Sequence, residues 1–495
     1  MIIMGEFSNR LCVVGLPSSD NKAEEATIDL TIGVSFDGTL NNKYNTQWAS
    51  TESIDDSYRN AYTNVVKLWR YYNCNNNNKD SFKVYIEGPG TVSPLLISRN
   101  DPSSEQYKKE QKHLDKDEDG TWVSSQKSDK LKGAGLGMSD TGINAKIERA
   151  CWLITRVVSK VCQGEKKLLK NLTLDVYGFS RGAASARSFI STIYSLNKER
   201  EKNSEDFQVS LSQWLSMYDF YTKKTNITIR FLGLFDTVSS YGYNFNDDVN
   251  DLQLRIPTFS PRVKRVVHLV AADEYRKNFS LTDISSAGNR GREIILPGAH
   301  SDIGGGYRDI EEEKMYDTLP HNMRYREYFD GKLECRGYMS YDKLVSEGWL
   351  PIGWNQPIHG LDRFGHSCTE YRKTRKVRND YARIPCYVMY QLSTNQPYKP
   401  VIEGKCSIGR NDLQLRALKD LIISKVKANQ SLYKWETNQN GERTVKFVGN
   451  DDEKELIKKI RYEFIHLSAY NSGISTLWAN KAAKNNKRKI INDTI

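Results

Sequence analysis

A serine nucleophile is indicated by the pentapeptide Gly178-Phe179-Ser180-Arg181-Gly182, a G-x-S-x-G sequence. The string alone is weak evidence, but it lies between a predicted strand, Leu172 to Tyr177, and a predicted helix, Gly182 to Tyr194. In that setting the serine occupies a strained turn that presents its hydroxyl above the sheet, and only small neighbours fit around it. The backbone N–H of Arg181, at the start of the helix, is then a predicted donor to an oxyanion.

A serine hydroxyl needs a base to take its proton, and the base needs a carboxylate that fixes its tautomer. Asp236 ends the apolar strand predicted over Ile227 to Phe235, which suits the carboxylate, although a helix-capping aspartate is an alternative. His300 follows the strand predicted over Glu293 to Leu296 in a glycine-rich segment, so it is the predicted base; a purely structural histidine is the alternative. The order Ser, Asp, His along the chain is that of α/β-hydrolases.

A second oxyanion donor is expected from a loop after an early strand. Asp37-Gly38-Thr39 follows the strand predicted over Thr27 to Phe36, so the backbone N–H groups of Gly38 and Thr39 are the candidates. The loop fits equally well as a simple turn whose aspartate accepts local backbone hydrogen bonds.

The elements that position these residues alternate between strand and helix. Strands are predicted over 27–36, 82–86, 172–177, 227–235 and 293–296, and helices over 55–72, 143–162, 182–194 and 261–276. This alternation predicts an α/β-hydrolase-like fold, a mostly parallel sheet with helices on both faces, with inserted and C-terminal irregular or helical regions. Residues 1–308 are predicted to form the catalytic domain, with a charged insertion near 99–130, and residues 309–495 an additional region with some segments returning to the hydrolase core.

Composition restricts the class of protein. The 495 residues are 38% apolar and 27% charged, as in folded globular proteins, and the opening residues show no Sec-type signal. The eight cysteines have no C-x-x-C pair and no zinc-site spacing, so no metal or other cofactor is expected, and free thiols in a reducing cytoplasm are predicted. The net charge of +11 favours anionic partners, either phospholipid headgroups or nucleic acid.

Six segments, in this order along the chain, resemble an α/β-hydrolase family long catalogued as a domain of unknown function, which includes the family-one lipase effectors of bacterial type VI secretion systems. The segments are Phe36 to Asn42, Glu87 to Thr91, the glycine run before Ile143, Gly178 to Ala183, Phe235 to Val238 and Pro297 to Tyr307. Leu40 departs from the pattern, since relatives often carry glycine there. Residues 310 to 495 match no family that we can name.

The resemblance implies a phospholipase of A1 or A2 type that hydrolyses membrane glycerophospholipid esters, with Ser180, Asp236 and His300 matching the triad of the family. It also implies an antibacterial effector, made in the cytoplasm without a signal peptide. Such an effector is delivered by a secretion spike protein into the periplasm of a target cell and is matched by a cognate immunity protein.

Two other functions are compatible with the residues. One is a soluble esterase or thioesterase that acts on small or carrier-bound acyl groups. The other is a non-catalytic, basic nucleic-acid-binding module, for which interleaved residues such as Arg324-Tyr325-Arg326 would supply a stacking groove. The second leaves the ordered serine, aspartate and histidine unexplained, so no nucleic acid is expected as a partner.

The region after Asp309 is predicted to engage the membrane. Trp349 and Trp354 would form an aromatic rim beside the active site, and the basic residues Arg363, Arg372, Lys373 and Arg375 would meet anionic headgroups. The alternative is that the aromatic residues pack a second core. The basic run from Lys481 to Lys489 is predicted to be a solvated tail.

Overall fold

We describe the fold from a computed structural model of the chain. The structure describes residues 25–48, 55–72, 80–92, 95–97, 114–116, 122–124, 129, 141–193, 210–241, 246–247, 249, 254, 263–315, 334–335, 339–353, 358–361, 367–370, 374–393, 396–439, 441–469 and 481–494. No helix in this part of the chain is long and apolar enough to cross a membrane.

A six-stranded sheet forms the centre of the molecule. Its strands are β1 (Thr27–Phe36), β2 (Ser81–Ile86), β3 (Leu168–Phe179), β4 (Asn226–Phe235), β5 (Val266–Ala271) and β6 (Gly291–Leu296). Every pair of neighbouring strands is parallel, in the order β6-β5-β4-β3-β1-β2. The predicted α/β fold with a mostly parallel sheet is therefore confirmed.

The strand order reverses between β1 and β3, because β2 lies outside β1 while the later strands follow on the other side of β3. In open parallel sheets, ligands bind beyond the carboxyl ends of the strands at such a reversal. Asp37 follows β1 and Ser180 follows β3, and the register pairs Phe36 with Gly178 at this end. The topology therefore brings the predicted oxyanion loop next to the predicted nucleophile.

Two helices cover one face of the sheet: α2 (Ile143–Glu165) and α3 (Arg181–Thr192). In α2 the apolar residues recur every three to four positions, so one stripe of the helix, from Ile143 to Val158, is buried against the sheet. Helix α3 is buried along almost its whole length, which its small residues permit.

The other face is covered by α1 (Asn64–Tyr71) together with elements from the C-terminal part of the chain. These are α5 (Arg383–Leu392), α6 (Leu413–Lys427) and α7 (Asp451–Phe464). Val65 and Leu68 of α1 belong to the same buried cluster as Ile384 and Phe464. The chain after residue 309 thus supplies much of one helical layer over the central sheet.

The helix predicted over 261–276 is wrong. Val266–Ala271 is strand β5, which pairs with β4 on one side and β6 on the other. All six residues are buried, so the strand has helices or strands on every side and shows no alternation of apolar and polar residues. A short, wholly apolar run of this kind is ambiguous in sequence, and the valine spacing suggested a helix.

Shorter elements complete the described structure. The helices are Lys43–Trp48, Asp56–Arg59, Leu211–Ser216, α4 (His300–Gly304), Tyr341–Ser346 and Ile402–Lys405, with 3₁₀ segments at Ser285–Arg290, Asn379–Ala382 and Lys484–Asn486. Antiparallel pairs join Ser240–Tyr241 to Asn246–Asp247, Ile310–Lys314 to Thr374–Arg378, Glu334–Cys335 to Met339–Ser340, Ile358–Leu361 to Ser367–Glu370, and Tyr433–Thr437 to Arg443–Phe447.

Only parts of the predicted charged insertion near 99–130 fall within the described residues. Leu114–Lys116 and Trp122–Ser124 form a small antiparallel sheet with Leu95–Ile97. A last strand pair is parallel and joins Leu281–Thr282 to Ile490–Ile491, near the end of the chain.

Candidate active site

Ser180 lies in the sharp turn that connects β3 to α3. Its backbone angles, φ 58° and ψ −129°, belong to a region that residues other than glycine rarely adopt. The turn is fixed by hydrogen bonds: the Ser180 N–H donates to the Phe235 carbonyl over 3.0 Å, and the Ser180 carbonyl accepts from the Ala183 N–H over 3.0 Å. The side chain is buried in this structure, with 5% of the residue exposed. The strained turn predicted for Ser180 is present.

The loop after β1 is held by the buried carboxylate of Asp37. This carboxylate accepts hydrogen bonds from Thr63 Oγ1 and Tyr85 Oη, each over 2.7 Å. The Gly38 N–H, one of the predicted oxyanion donors, donates to Asp37 Oδ1 over 2.8 Å and is thus engaged within the loop. Burial raises the pKa of Asp37 to about 6, against the effect of its three hydrogen-bond donors.

The loop that follows β2 packs very closely against Gly38. A β-carbon at Gly88 would lie 1.7 Å from the Gly38 carbonyl oxygen, so only glycine fits there. Leu40, which departs from the family pattern, has φ 55°, a conformation that favours glycine. On the opposite side, the Arg181 guanidinium donates to Thr39 Oγ1 over 2.8 Å, which ties the loop to the start of α3.

Asp236 and His300 are joined by a buried hydrogen bond of 2.6 Å between Oδ2 and Nδ1. Asp236 directly follows β4, whose last residue, Phe235, pairs with the last residue of β3, Phe179. His300 begins α4, just after β6. The structure therefore brings together the predicted carboxylate and the predicted base at the edge where Ser180 lies.

Arg488 is the main site residue that the sequence did not indicate. Its Nη1 donates to Asp236 Oδ1 over 2.7 Å and its Nη2 to Asp236 Oδ2 over 2.8 Å. Only 6% of the Arg488 side chain is exposed, so the prediction of a wholly solvated tail is wrong at this residue. The Ala271 N–H, over 2.9 Å, completes the coordination of the Asp236 carboxylate.

These contacts set the charge states of the pair. Burial alone would raise the pKa of Asp236, but the Arg488 guanidinium and His300 hold it well below its usual value. Burial lowers the pKa of His300, and the Asp236 carboxylate opposes this effect without cancelling it. Asp236 is therefore ionised and His300 neutral near pH 7, as a base and its orienting carboxylate require.

Two aromatic rings hold the imidazole of His300 in place. The Phe179 ring centroid is 4.7 Å away and the Phe279 ring centroid is 4.9 Å away. The Arg276 guanidinium lies over the Phe279 ring and pairs with Glu274 over 2.9 Å. Burial alone would raise the pKa of Glu274, but Arg276 lowers it to about 2. An ion pair therefore borders the predicted base.

His268 supports the site from within the sheet. Its Nε2 accepts from the Thr237 N–H over 3.0 Å, immediately after Asp236, and its Nδ1 lies 2.8 Å from Glu293. The Thr237 contact requires an unprotonated Nε2, so Nδ1 carries the proton and donates to Glu293. His268 lies within the segment 261–276, which the sequence predicts to be a helix and which the structure shows as strand β5 over Val266–Ala271.

The remaining histidines lie elsewhere or outside the described residues. His466 is buried, its Nδ1 is 2.7 Å from Asp302, and its ring stacks on Tyr307 at 3.7 Å. His113, His321 and His366 fall outside the described residues, and of His359 only its place in a strand is described. No group of three or more His, Cys, Asp or Glu side chains with metal-site geometry occurs among the described residues.

The aromatic rim predicted after residue 309 is contradicted at Trp349. This side chain is completely buried in the core cluster, where the guanidinium groups of Arg375 and Arg461 lie over its ring. Arg375 is also fully buried and pairs with Glu313, so it cannot meet a headgroup. The alternative of a packed core is therefore correct for Trp349; Trp354 lies outside the described residues.

Comparison with known proteins supports the resemblance indicated by the motifs. Residues 190–324 match the family model described as "T6SS, Phospholipase effector Tle1-like, catalytic domain". This segment contains Asp236 and His300 and begins ten residues after Ser180. No curated protein matches the chain. The resemblance to type VI lipase effectors is confirmed by this match.

Two solved structures are similar to the chain. One is "Structure of the Tle1 effector bound to the VgrG spike from the Type 6 secretion system", with 21% identity, a TM-score of 0.53 and 94% of each chain covered. The other, "Crystal structure of an uncharacterized protein from Pseudomonas aeruginosa", has 19% identity and a TM-score of 0.38, and covers 80% of this chain and 51% of its own. At 21% identity, the first likeness concerns the fold.

Proposed function

We propose that this protein is a phospholipase that cleaves carboxylic esters through Ser180, His300 and Asp236. The observation that carries the proposal is the buried 2.6 Å hydrogen bond between His300 and Asp236, at the sheet edge where Ser180 occupies its strained turn. A buried, ionised carboxylate on a neutral histidine is what activation of a serine hydroxyl requires. The three residues follow β3, β4 and β6, whose parallel carboxyl ends lie on one edge.

In the proposed reaction, Ser180 Oγ attacks the ester carbonyl carbon while His300 Nε2 takes the hydroxyl proton. The tetrahedral oxyanion is stabilised by the backbone N–H groups of Arg181 and Thr39, and the N-terminus of α3 adds a favourable dipole. His300 then gives the proton to the departing alcohol, which leaves an acyl group on Ser180. Water, activated by the same histidine, releases the fatty acid and restores the serine.

The phospholipid substrate and the effector role are supported by the family match. The matched model describes a phospholipase effector domain, and the similar Tle1 structure was solved with a spike protein. We propose that this chain, too, is carried by a type VI spike into the periplasm of a target cell, acts there on membrane glycerophospholipid at the A1 or A2 position, and is countered by an immunity protein. The net charge of +11 agrees with an anionic membrane surface.

Product analysis on vesicles tests the proposal. Vesicles of phosphatidylethanolamine and phosphatidylglycerol, with different acyl chains at the two glycerol positions, would be incubated with the wild type and with Ser180→Ala. We expect the wild type to release one defined fatty acid and Ser180→Ala to release none. Ser216→Ala, an exposed serine in a remote helix, is the matched control and should keep full activity.

The same experiment separates the alternatives. Hydrolysis of a soluble short-chain ester without release of fatty acid from vesicles would replace the phospholipase proposal with a soluble esterase. Fatty-acid release by Ser180→Ala at the wild-type rate would refute the assignment of the nucleophile. Because the two glycerol positions carry different acyl chains, the identity of a single released fatty acid distinguishes A1 from A2 specificity. Release of both fatty acids would show that the enzyme accepts both positions.

A further inference from the structure

The C-terminal segment of the chain, residues 481–494, lies along the loop that follows β5; we refer to this segment as the C-terminal strap. Backbone hydrogen bonds join the two, from the Lys277 N–H to Lys481 O and from the Ala483 N–H to Tyr275 O, each over 2.7 Å. Further on, the Leu281 N–H donates to Lys489 O over 2.9 Å. The loop bordered by the strap carries the residues that surround His300.

Two buried charged side chains anchor the strap to the catalytic elements. Asp493 pairs with Arg187 of α3, the helix that follows Ser180, and both side chains are inaccessible to solvent. Arg488 pairs with Asp236 through both guanidinium Nη atoms. The strap thus connects the helix of the proposed nucleophile to the carboxylate of the proposed base.

We infer that Arg488 is a positioning residue of the hydrolase, which fixes Asp236 for His300 and keeps the imidazole ready to accept a proton. The inference rests on the proposed function, because it assigns Arg488 a role in that reaction. It adds to the three proposed triad residues a fourth residue, contributed by the end of the chain. In the sequence, Arg488 is the one arginine among the lysines of the basic run, and this difference does not reveal its contact with Asp236.

The geometry gives the positioning effect. A bidentate guanidinium holds a carboxylate in one plane, because both oxygens are bound at fixed angles. Asp236 Oδ2 then accepts simultaneously from Arg488 and from His300 Nδ1, so the plane of the carboxylate sets the direction of the imidazole. A serine hydrolase is sensitive to this direction, since a displacement of about 1 Å can cost roughly 100-fold in rate.

The charge of Arg488 acts on the same histidine. The charged groups that face His300 are Asp236 after β4, Glu274 and Arg276 after β5, and Arg488 of the strap. Asp236 and Glu274 favour the imidazolium, and Arg276 opposes it. Arg488 and His300 donate to the same Asp236 Oδ2 atom, so the positive charge of Arg488 should oppose the imidazolium as well. Removing Arg488 alone should therefore make His300 easier to protonate and move the acidic limb of the activity profile to higher pH.

The test compares Arg488→Met with Arg488→Lys, using nitrophenyl butyrate as a soluble ester and quantifying the product by chromatography. For Arg488→Met we expect kcat to fall roughly 10- to 100-fold with KM within about twofold, because the bound substrate is not contacted. The acidic limb of the pH profile of kcat/KM should shift to higher pH by about one unit. Arg488→Lys keeps the charge but not the bidentate geometry, so kcat should fall while the limb stays near its wild-type position.

Lys487→Met is the matched control, because it removes the same charge from an exposed neighbour in the strap. It should behave as the wild type in both kcat and pH profile. An unshifted acidic limb in Arg488→Met overturns the inference even if kcat falls, since a merely structural residue would lower kcat alone. An unchanged kcat in that variant overturns it as well.

A measurement without turnover separates this inference from the proposed function. In the Ser180→Ala background, the titration of His300 would be followed by NMR with ¹³C-labelled histidine, with and without Arg488→Lys and Arg488→Met, and His300→Gln would assign the signal. A higher pKa of His300 in Arg488→Met than in Arg488→Lys supports the inference, and equal values overturn it. An inactive wild type would refute the proposed function while this titration still decides the charge effect.

If Arg488→Met fails to fold, the inference is tested with Arg488→Lys and the control Lys487→Met. Arg488→Lys should then still show reduced kcat on the soluble ester, and a wild-type kcat would overturn the positioning role. Near-ultraviolet circular dichroism and the melting temperature, recorded at each pH used, establish which variants are folded.

Discussion

Gly182 lies directly against the backbone of Asp37: a β-carbon at Gly182 would be 2.1 Å from the Asp37 carbonyl oxygen. The same β-carbon would be 2.6 Å from the Phe36 carbonyl oxygen. Both neighbours are backbone atoms at the end of β1, so neither can rotate away. The last glycine of the G-x-S-x-G sequence therefore sets how closely α3 approaches the loop that carries Gly38 and Thr39.

Gly182→Ala should displace this loop from the proposed nucleophile. We expect the free energy of unfolding to fall by about 1–3 kcal/mol, as for other overpacked sites, and kcat on a soluble ester to fall as well. Urea unfolding and steady-state kinetics would measure the two effects. Wild-type stability together with wild-type kcat would show that the loop accommodates the methyl group and would refute the argument.

Gly164→Ala is the matched control for this substitution. Gly164 lies in α2, and a β-carbon there would meet no atom within 4 Å. The added methyl group removes backbone freedom from the unfolded chain and favours the helix, so the protein should become more stable by about 0.5–1 kcal/mol. The kcat on the soluble ester should not change.

Asp236→Asn tests whether Asp236 orients the base. Asparagine has one side-chain oxygen, so it cannot replace both carboxylate oxygens that accept from Arg488 and His300. Its amide nitrogen would face one of these donors, and the neutral imidazole would take the wrong tautomer. We expect kcat to fall by roughly 10⁴-fold. Adding Ser180→Ala should change the residual rate little, because triad members act as a unit. Fully additive effects would show that Asp236 is not the orienting carboxylate, and the exposed Asp219→Asn is the control.

The sequence was sufficient to predict the proposed catalytic residues, because each follows an apolar strand of the sheet. An apolar run, predicted as a strand, precedes each of Ser180, Asp236 and His300. The carboxyl ends of parallel strands meet at one edge of the sheet, so these residues are expected there. Local sequence patterns and one rule of topology therefore place these residues at one edge of the sheet, without knowledge of any contact between distant side chains.

The contacts that tune these residues could not be predicted in this way. Arg488 is 252 positions from Asp236, and its basic neighbours in the sequence point to solvent. His268 lies in a strand that is buried on both faces, where the periodicity that identifies an element is lost. In both cases the burial of a charged or polar side chain depends on tertiary packing, which a single sequence does not display.

The stability of the protein should depend on pH through His300. Burial lowers the pKa of this histidine in the folded state, so below an unfolded-state value of about 6.5 the unfolded chain binds a proton that the folded chain resists. The free energy of unfolding should therefore be fully developed above about pH 6.5 and should decrease as the pH falls below it. His300→Gln should flatten this decrease in urea unfolding measured at successive pH values. Equal slopes in the two proteins would contradict the prediction.

Glu274 should cause a second loss of stability, at a lower pH than the loss through His300. Its pKa is about 2 in the folded protein and 4.5 ordinarily, so its contribution is complete above pH 4.5 and is lost as the pH falls toward 2. The difference corresponds to roughly 3 kcal/mol. Glu274→Gln should be less stable than the wild type at pH 7. The free energies of unfolding of the two proteins should become equal as the pH falls toward 2. A constant difference over the whole range would exclude the linkage to Glu274.

Trp349→Ala decides between core packing and membrane contact for the segment after residue 309. The Trp349 ring is fully buried beneath two guanidinium groups, and its Nε1 donates to Glu347 over 3.2 Å. Truncation should therefore cost about 3–5 kcal/mol of stability and lower activity on vesicles and on a soluble ester to the same extent. Ile352, three residues on and 91% exposed, is the control: Ile352→Ala should change stability by less than about 0.5 kcal/mol. A selective loss on vesicles in Trp349→Ala would restore the membrane role that burial contradicts, whereas the same selective loss in Ile352→Ala alone would assign that role to the exposed tip of the segment.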